Sequence, residues 1–254
     1  MARCGKHACD QRTKPFKRLT LEQPTDKTLE AAAELIGKTW YQNEPASWHR
    51  ACERVELAHY LGHATYVRTA MLDGDFAGII AVRATNPHDV AKSSGVHALW
   101  YQDRLLAIAP WFAGTSDETA VGVALAPIAT EMVLTQEFLN SGDSRTAWEI
   151  TLLVIDPAFQ GNGIGKALLA DAIAYLRHHG VAGFFLATDD GCDFGFYDHL
   201  GLERIAAKEM PTGASAQQTH QDGNAAAFDR ENHPFHVYLY GAGGVGLGGE
   251  SDGH

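Results

Sequence analysis

The apolar positions change period along the chain, and the changes mark the elements. Ile150 to Ile155 is a continuous apolar, largely β-branched run of strand length. Asp156-Pro157 stops it, because proline cannot donate to a ladder. From Lys166 to Arg177 the spacing becomes helical, with Leu169, Ala172, Ile173 and Leu176 on one face. Arg177-His178-His179-Gly180 suits a helix end: basic residues for the dipole, glycine for the left-handed cap. Upstream, Phe16 to Gln23 alternates as a first strand, and Thr25-Asp26 can start a helix carrying the stripe Leu29, Ala33, Ile36 and Trp40. A second helix is predicted over Ala46 to His63. Asp73-Gly74, between Tyr66–Leu72 and Phe76–Val82, is the strongest hairpin signal in the chain. Downstream, strands are predicted at Phe184–Thr188, Leu202–Met210 and Phe235–Tyr240. A short helix is predicted at Asp193–Leu200, and the polar stretch Pro211–Arg230 reads as a loop. The pattern is that of an α/β domain.

Between the run at 150–155 and the helix after it stand Gly161, Gly163 and Gly165. A strand, a glycine turn and a helix N-terminus together aim bare N–H groups at a ligand, most often a phosphate. A Walker A loop is excluded: its first glycine position holds Gln160, and Ala167 stands where a hydroxyl would bind magnesium. The dinucleotide spacing Gly-x-Gly-x-x-Gly also fails, with Leu168 in third place when counted from Gly163. Gly241, Gly243 and Gly246 do satisfy that spacing, but only eight residues follow, too few for a nucleotide unit, so 241–254 reads as a flexible tail.

Gln160-x-x-Gly163-x-Gly165 resembles the pyrophosphate loop of the GNAT (Gcn5-related) N-acetyltransferases. Gly195-Phe196-Tyr197-Asp198-His199-Leu200-Gly201-Leu202 is similar to that family's Phe-Tyr-x-x-x-Gly-Phe segment. The two together cover about Arg145 to Met210. The resemblance implies a mixed, mostly antiparallel sheet flanked by helices, with acetyl-CoA as co-substrate. It implies a cofactor site at Leu153, Val154, Ile155, Gln160, Gly161, Asn162, Gly163, Ile164, Gly165 and Lys166, with Asp190 where the family commonly has Asn. Tyr197 is then the acid for the departing thiolate. Glu149, eleven residues before Gln160 and the only acid between Asp143 and Asp156, is the expected base. Against these stand plainer roles: a packed aromatic for Tyr197, a solvated edge carboxylate for Glu149. Asp189, Asp190 and Asp193 suit helix capping or a cationic acceptor. An acyl-cysteine route through Cys192 is not expected, since the family usually transfers directly.

Residues 86–145 exceed the usual connection at this point. Leu99–Ile108 and Thr119–Leu139 look helical, and Trp100, Tyr101, Trp111 and Phe112 add aromatic mass. The segment is read as a helical insertion before the central strand, either a lid over the acceptor or a layer against the sheet or a homodimer face. Domain organisation is thus a disordered 1–14, one domain over 15–240, and the tail.

Composition narrows the partners. Hydrophobic residues make up 45% and charged residues 20% of 254, as in soluble globular chains. A net charge of −11 argues against nucleic acid, and an acidic surface favours a cationic acceptor where it does more than confer solubility. No apolar run of transmembrane length occurs, and Met1-Ala-Arg-Cys-Gly-Lys-His lacks a signal peptide's apolar region, so no membrane association and a cytoplasmic location are expected. Four cysteines make no disulfide framework. Cys4, His7 and Cys9 lack a fourth ligand, and the pair His59 and His63 lacks a third, so no metal is expected. The function read from all this is acetyl transfer from acetyl-CoA to a primary amine of a small molecule or protein. The alternative is an inactive CoA-binding sensor or assembly module.

Overall fold

The computed structural model describes residues 17–42, 45–62, 64–85, 118–210 and 234–243. Strand β1 (Leu19–Glu22) leads to helix α1 (Asp26–Trp40) through a reciprocal cap. Thr28 N–H donates to Thr25 Oγ1 (3.2 Å), and Thr25 N–H donates to Thr28 Oγ1 (2.8 Å). Helix α2 (Ala46–Leu61) packs beside it. The hairpin β2 (Tyr66–Leu72) and β3 (Asp75–Ala84) turns at Asp73 and Gly74, both at positive φ (56° and 93°), the paired left-handed geometry that matches strand twist. Helix α3 (Glu118–Leu139) precedes β4 (Trp148–Ile155). Then come α4 (Ile164–His178), β5 (Gly183–Asp189), the short α5 (Gly195–His199), β6 (Glu203–Glu209) and β7 (His236–Gly243).

The seven strands form one sheet in the order β1-β2-β3-β4-β5-β7-β6. Every neighbouring pair is antiparallel except β4 with β5. This is the mixed, mostly antiparallel sheet expected, flanked by helices on both faces. Leu29, Ile36, Leu57 and Leu61 of α1 and α2 bury one face of the sheet against Ile79, Leu152 and Val154. Leu134 and Phe138 of α3 cover Phe185, Val237 and Leu239. Ile164, Leu168, Ile173 and Leu176 of α4 fill the other face against Ile80, Ile150 and Phe184. The stripe read from spacing alone is therefore the buried one.

Strand β4 changes face part-way. Ala81 pairs with Leu152 and Val82 with Ile150, leaving Thr151 as an extra residue, a β-bulge. Before it, Trp148 and Ile150 face α4; after it, Leu152 and Val154 face α1 and α2. Thr151 Oγ1 donates to the carbonyl of Tyr60 (2.9 Å), tying the bulge to the end of α2.

One boundary differs materially from the sequence reading. The last strand runs through Gly243, so residues 241–243 are not part of a flexible tail. They pair with Gly183–Phe185, and a Cβ at Gly241 would stand 2.8 Å from the Phe184 carbonyl. The glycines permit close strand approach there. The expectations for 1–14, the Cys4-His7-Cys9 group, His63, the aromatics at 100, 101, 111 and 112, the loop at 211–230 and the tail from 244 lie outside the described residues.

Candidate active site

Strands β4 and β5 are eight and seven residues long, yet they pair only at Glu149 with Phe185 and Ile150 with Leu186. Past the bulge they separate. Parallel strands joined along their length bury a continuous ladder; here the edge of β4 that faces β5 is left without a strand partner beyond Ile150. The fork opens into a cavity of about 430 Å³, lined by Ile150–Ile155 on one side and Leu186–Asp189 on the other.

The glycine turn stands at the mouth of this cavity. Gln160, Gly161, Ile164 and Gly165 line it. Gly161 and Gly163 have φ of 76° and 73°, where a Cβ is strained. Gly163 is the N-cap of α4 and brings no side chain to cap it. The amides of the first turn therefore keep the positive end of the helix open to an anion. Asn162 holds the turn in shape, its amide donating to the carbonyls of Phe159 (2.8 Å) and Gln160 (3.2 Å).

Tyr197, on α5, lines the cavity from the α4 side and is 8% exposed. Its ring packs against Phe196 and Tyr240. Burial, with Cys192, Asp193 and Asp189 nearby, pushes the phenol well above its usual range, so it remains a neutral donor.

Residues 92–201 match the Acetyltransferase (GNAT) family. The chain is thus similar to that family over this stretch. The chain is 35% identical over 67 residues to the mycothiol acetyltransferase of Kocuria rhizophila, covering 26% of this chain and 22% of that protein. It is 30% identical over 78 residues to the N-alpha-acetyltransferase RimI of Mycobacterium tuberculosis, covering 30% and 49%. The matches thus span between about a fifth and a half of those relatives' lengths. The ribosomal-protein-S18-alanine N-acetyltransferase of Escherichia coli shares 14% identity at a TM-score of 0.46, over 93% of this chain and 100% of that one. The GNAT family uses acetyl-CoA.

The fold brings together most of the expected cofactor residues and not others. Leu153, Val154, Ile155, Gln160, Gly161, Ile164 and Gly165 line the cavity; Gly163 and Asn162 shape the turn; Lys166 is exposed, the third residue of α4, and outside the lining. Asp190 is turned away. Its Oδ2 accepts the His236 N–H (2.7 Å) and its Oδ1 the Tyr238 hydroxyl (2.6 Å), so it clamps β5 to β7 instead of touching a cofactor.

Glu149, expected as the base, stands outside the cavity lining. Register places Arg83 of β3 directly opposite it, and Arg83 Nε donates to Glu149 Oε2 at 2.7 Å. The carboxylate is fully buried and is not part of the cavity wall. Burial raises its pKa and the guanidinium opposes the shift. Removing one partner of a buried pair leaves the other uncompensated. Glu149→Ala is expected to lower the unfolding free energy by roughly 3–5 kcal/mol, read as a shifted urea midpoint. A midpoint within error of the parent would contradict the structural role.

The carboxylates that do face the cavity are Glu56 on α2, Glu131 on α3, Asp189 at the end of β5, and Asp193. Asp189 and Asp193 were already marked by the sequence as capping or cation-binding; Glu56 and Glu131 were not. Glu56 did leave a signal. It lies four residues after Cys52 and four before Tyr60, an acid on the inward face of its helix. Burial lifts it to about 8, helped by Glu131 and Asp189 and opposed by the Tyr41 hydrogen bond. Burial likewise lifts Asp189 to about 6, opposed by the Gly191 N–H at 2.7 Å. Helix α3 packs on the sheet, and its Pro127 and Glu131 line the cavity.

Proposed function

We propose that this chain transfers an acetyl group from acetyl-CoA to a primary amine by direct attack. The observation that carries the reading is the fork between β4 and β5, opening beside an uncapped helix N-terminus. The amides of Gly161 to Lys166 suit a diphosphate. The free edge of β4 at Leu153–Ile155 suits an extended amide arm added as a strand would be. A main-chain N–H on that edge would serve the acyl oxygen, as a preorganised donor acts where charge develops.

In the reaction a C–N bond forms and the C–S bond breaks. Asp189, poised near neutrality at the cavity wall, accepts the proton that the attacking nitrogen gives up. The Tyr197 hydroxyl supplies a proton to the leaving sulfur. Glu149 stays behind the wall as the counter-charge of Arg83.

Titration of the protein with acetyl-CoA, followed by thiol release with a panel of amines, tests the reading. Absence of binding heat sinks it; binding without thiol release for any amine favours a sensor. The turn makes a narrower prediction. A side chain at a left-handed position costs roughly 1–2 kcal/mol, so Gly163→Ala is expected to weaken acetyl-CoA binding by about tenfold. Gly142→Ala, at φ 77° away from the cavity, is expected to lower stability by a similar amount and leave acetyl-CoA affinity alone. Equal affinity losses in both variants would remove the turn from the binding site.

A further inference from the structure

The cavity has more acid than the chemistry above uses. Among the described residues that line the cavity there are four carboxylates, Glu56, Glu131, Asp189 and Asp193, and no lysine, arginine or histidine. His59 of α2 has its Nε2 3.9 Å from Glu131 Oε1. Glu131 Oε2 accepts the Tyr60 hydroxyl at 3.1 Å.

Glu56 is the unusual member. It is 2% exposed. Its Oε1 accepts the Tyr41 hydroxyl at 2.5 Å; its Oε2 is buried with no hydrogen bond within 3.5 Å among the described residues, the Tyr60 hydroxyl being the nearby donor that interacts with the carboxyl. A second buried polar atom in the same wall, Thr39 Oγ1 of α1, is also without a partner. An unsatisfied buried oxygen costs about 1–3 kcal/mol, and more when charged. Two in one wall of a cavity are best explained by a ligand group that completes them. A cationic N–H group suits this place, because its charge favours the ionised carboxylate, which then accepts through both oxygens. The rings of Trp40 and Tyr60, packed edge to face at 6.0 Å, border the same recess and favour an organic cation. Among the described residues no three His, Cys, Asp or Glu groups are gathered to hold a metal ion.

We infer that the α1–α2 wall is a subsite for a second cationic group of the acceptor, with Glu56 as its counter-ion and Thr39 as a further acceptor. This rests on the acyl-transfer reading and narrows it. The acceptor carries an ammonium or guanidinium group at a distance from the amine that reacts near Asp189, so it is a diamine-like molecule and not a monoamine. Burial alone raises the Glu56 pKa and so favours its neutral form. Contact with the cation returns it to the ionised form.

The test is calorimetric titration of the full chain, saturated with CoA so that no turnover occurs, with 1,4-diaminobutane, 1,6-diaminohexane and, as the singly charged control, butylamine. The better diamine is expected to bind at least about tenfold more tightly than butylamine, equivalent to about 1.4 kcal/mol. Glu56→Gln, which keeps the shape and removes the charge, is expected to erase that advantage while CoA affinity persists. Equal binding of diamines and butylamine to the unaltered protein overturns the inference, and that comparison needs no variant. So does a diamine preference that survives in Glu56→Gln. The CoA titration that precedes each run tests the acyl-transfer reading separately. Its failure with diamine preference intact leaves a cation site without acyl transfer, and the reverse result leaves a transferase without this subsite.

Discussion

Replacing Tyr197 by phenylalanine is expected to lower kcat by about 10²–10⁴, the range a positioned proton donor contributes, with acetyl-CoA affinity unchanged. The change removes one oxygen from a ring whose packing against Phe196 and Tyr240 does not depend on it. The hydroxyl makes no hydrogen bond to any described residue, so its loss orphans nothing. Unfolding midpoints are therefore expected to coincide. Because burial raises the phenol, the unaltered protein is expected to lose no activity to its ionisation through the mildly alkaline range. A small kcat loss coupled to weaker acetyl-CoA binding would make Tyr197 a packing residue and return the acid to solvent.

Asp189→Asn is expected to be as damaging, and to change the pH profile as well. Burial raises this carboxyl from 3.8 to about 6. A base works only when deprotonated, so log kcat/KM for an acceptor binding as the ammonium form should rise with pH toward about 6 and then level. Asparagine keeps an oxygen for the Gly191 N–H, which preserves the local turn, but cannot take a proton. The variant should lose about 10²–10⁴ in kcat/KM together with the acid limb. A limb that persists near the same pH in Asp189→Asn would assign it to another group, with Glu56 and Glu131 the next candidates on the wall.

The two motifs that carry the cofactor reading were legible because each is local. A strand end, three glycines and a helix start follow one another in the chain, and so do the residues around Tyr197. Their chemistry depends on backbone geometry that glycine and proline impose within a few residues. The hairpin at Asp73-Gly74 and the buried stripe of α4 were legible for the same reason. The misreadings were all long-range. Glu149 had the right type and spacing for a base, but antiparallel register set Arg83 across from it, 66 residues away. Asp190 stood at a cofactor position in the motif, but β7 arrives from 46 residues downstream and takes both its oxygens. The strand limit at Tyr240 failed because pairing, not composition, decides where a glycine-rich segment stays extended.

From the order of residues alone came an α/β chain, a glycine turn fit to hold a diphosphate, and a tyrosine in a family setting. Those features follow from periodicity and from φ preferences, which act between neighbours. The folded arrangement alone settled where the fork opens, because a single extra residue at Thr151 shifts β4 in register and parts it from β5. It alone gathered Glu56, Glu131 and Asp189 around that fork, from two helices and a strand far apart in the chain. Their charge meets only across packed elements, so its chemistry exists only once the elements are packed.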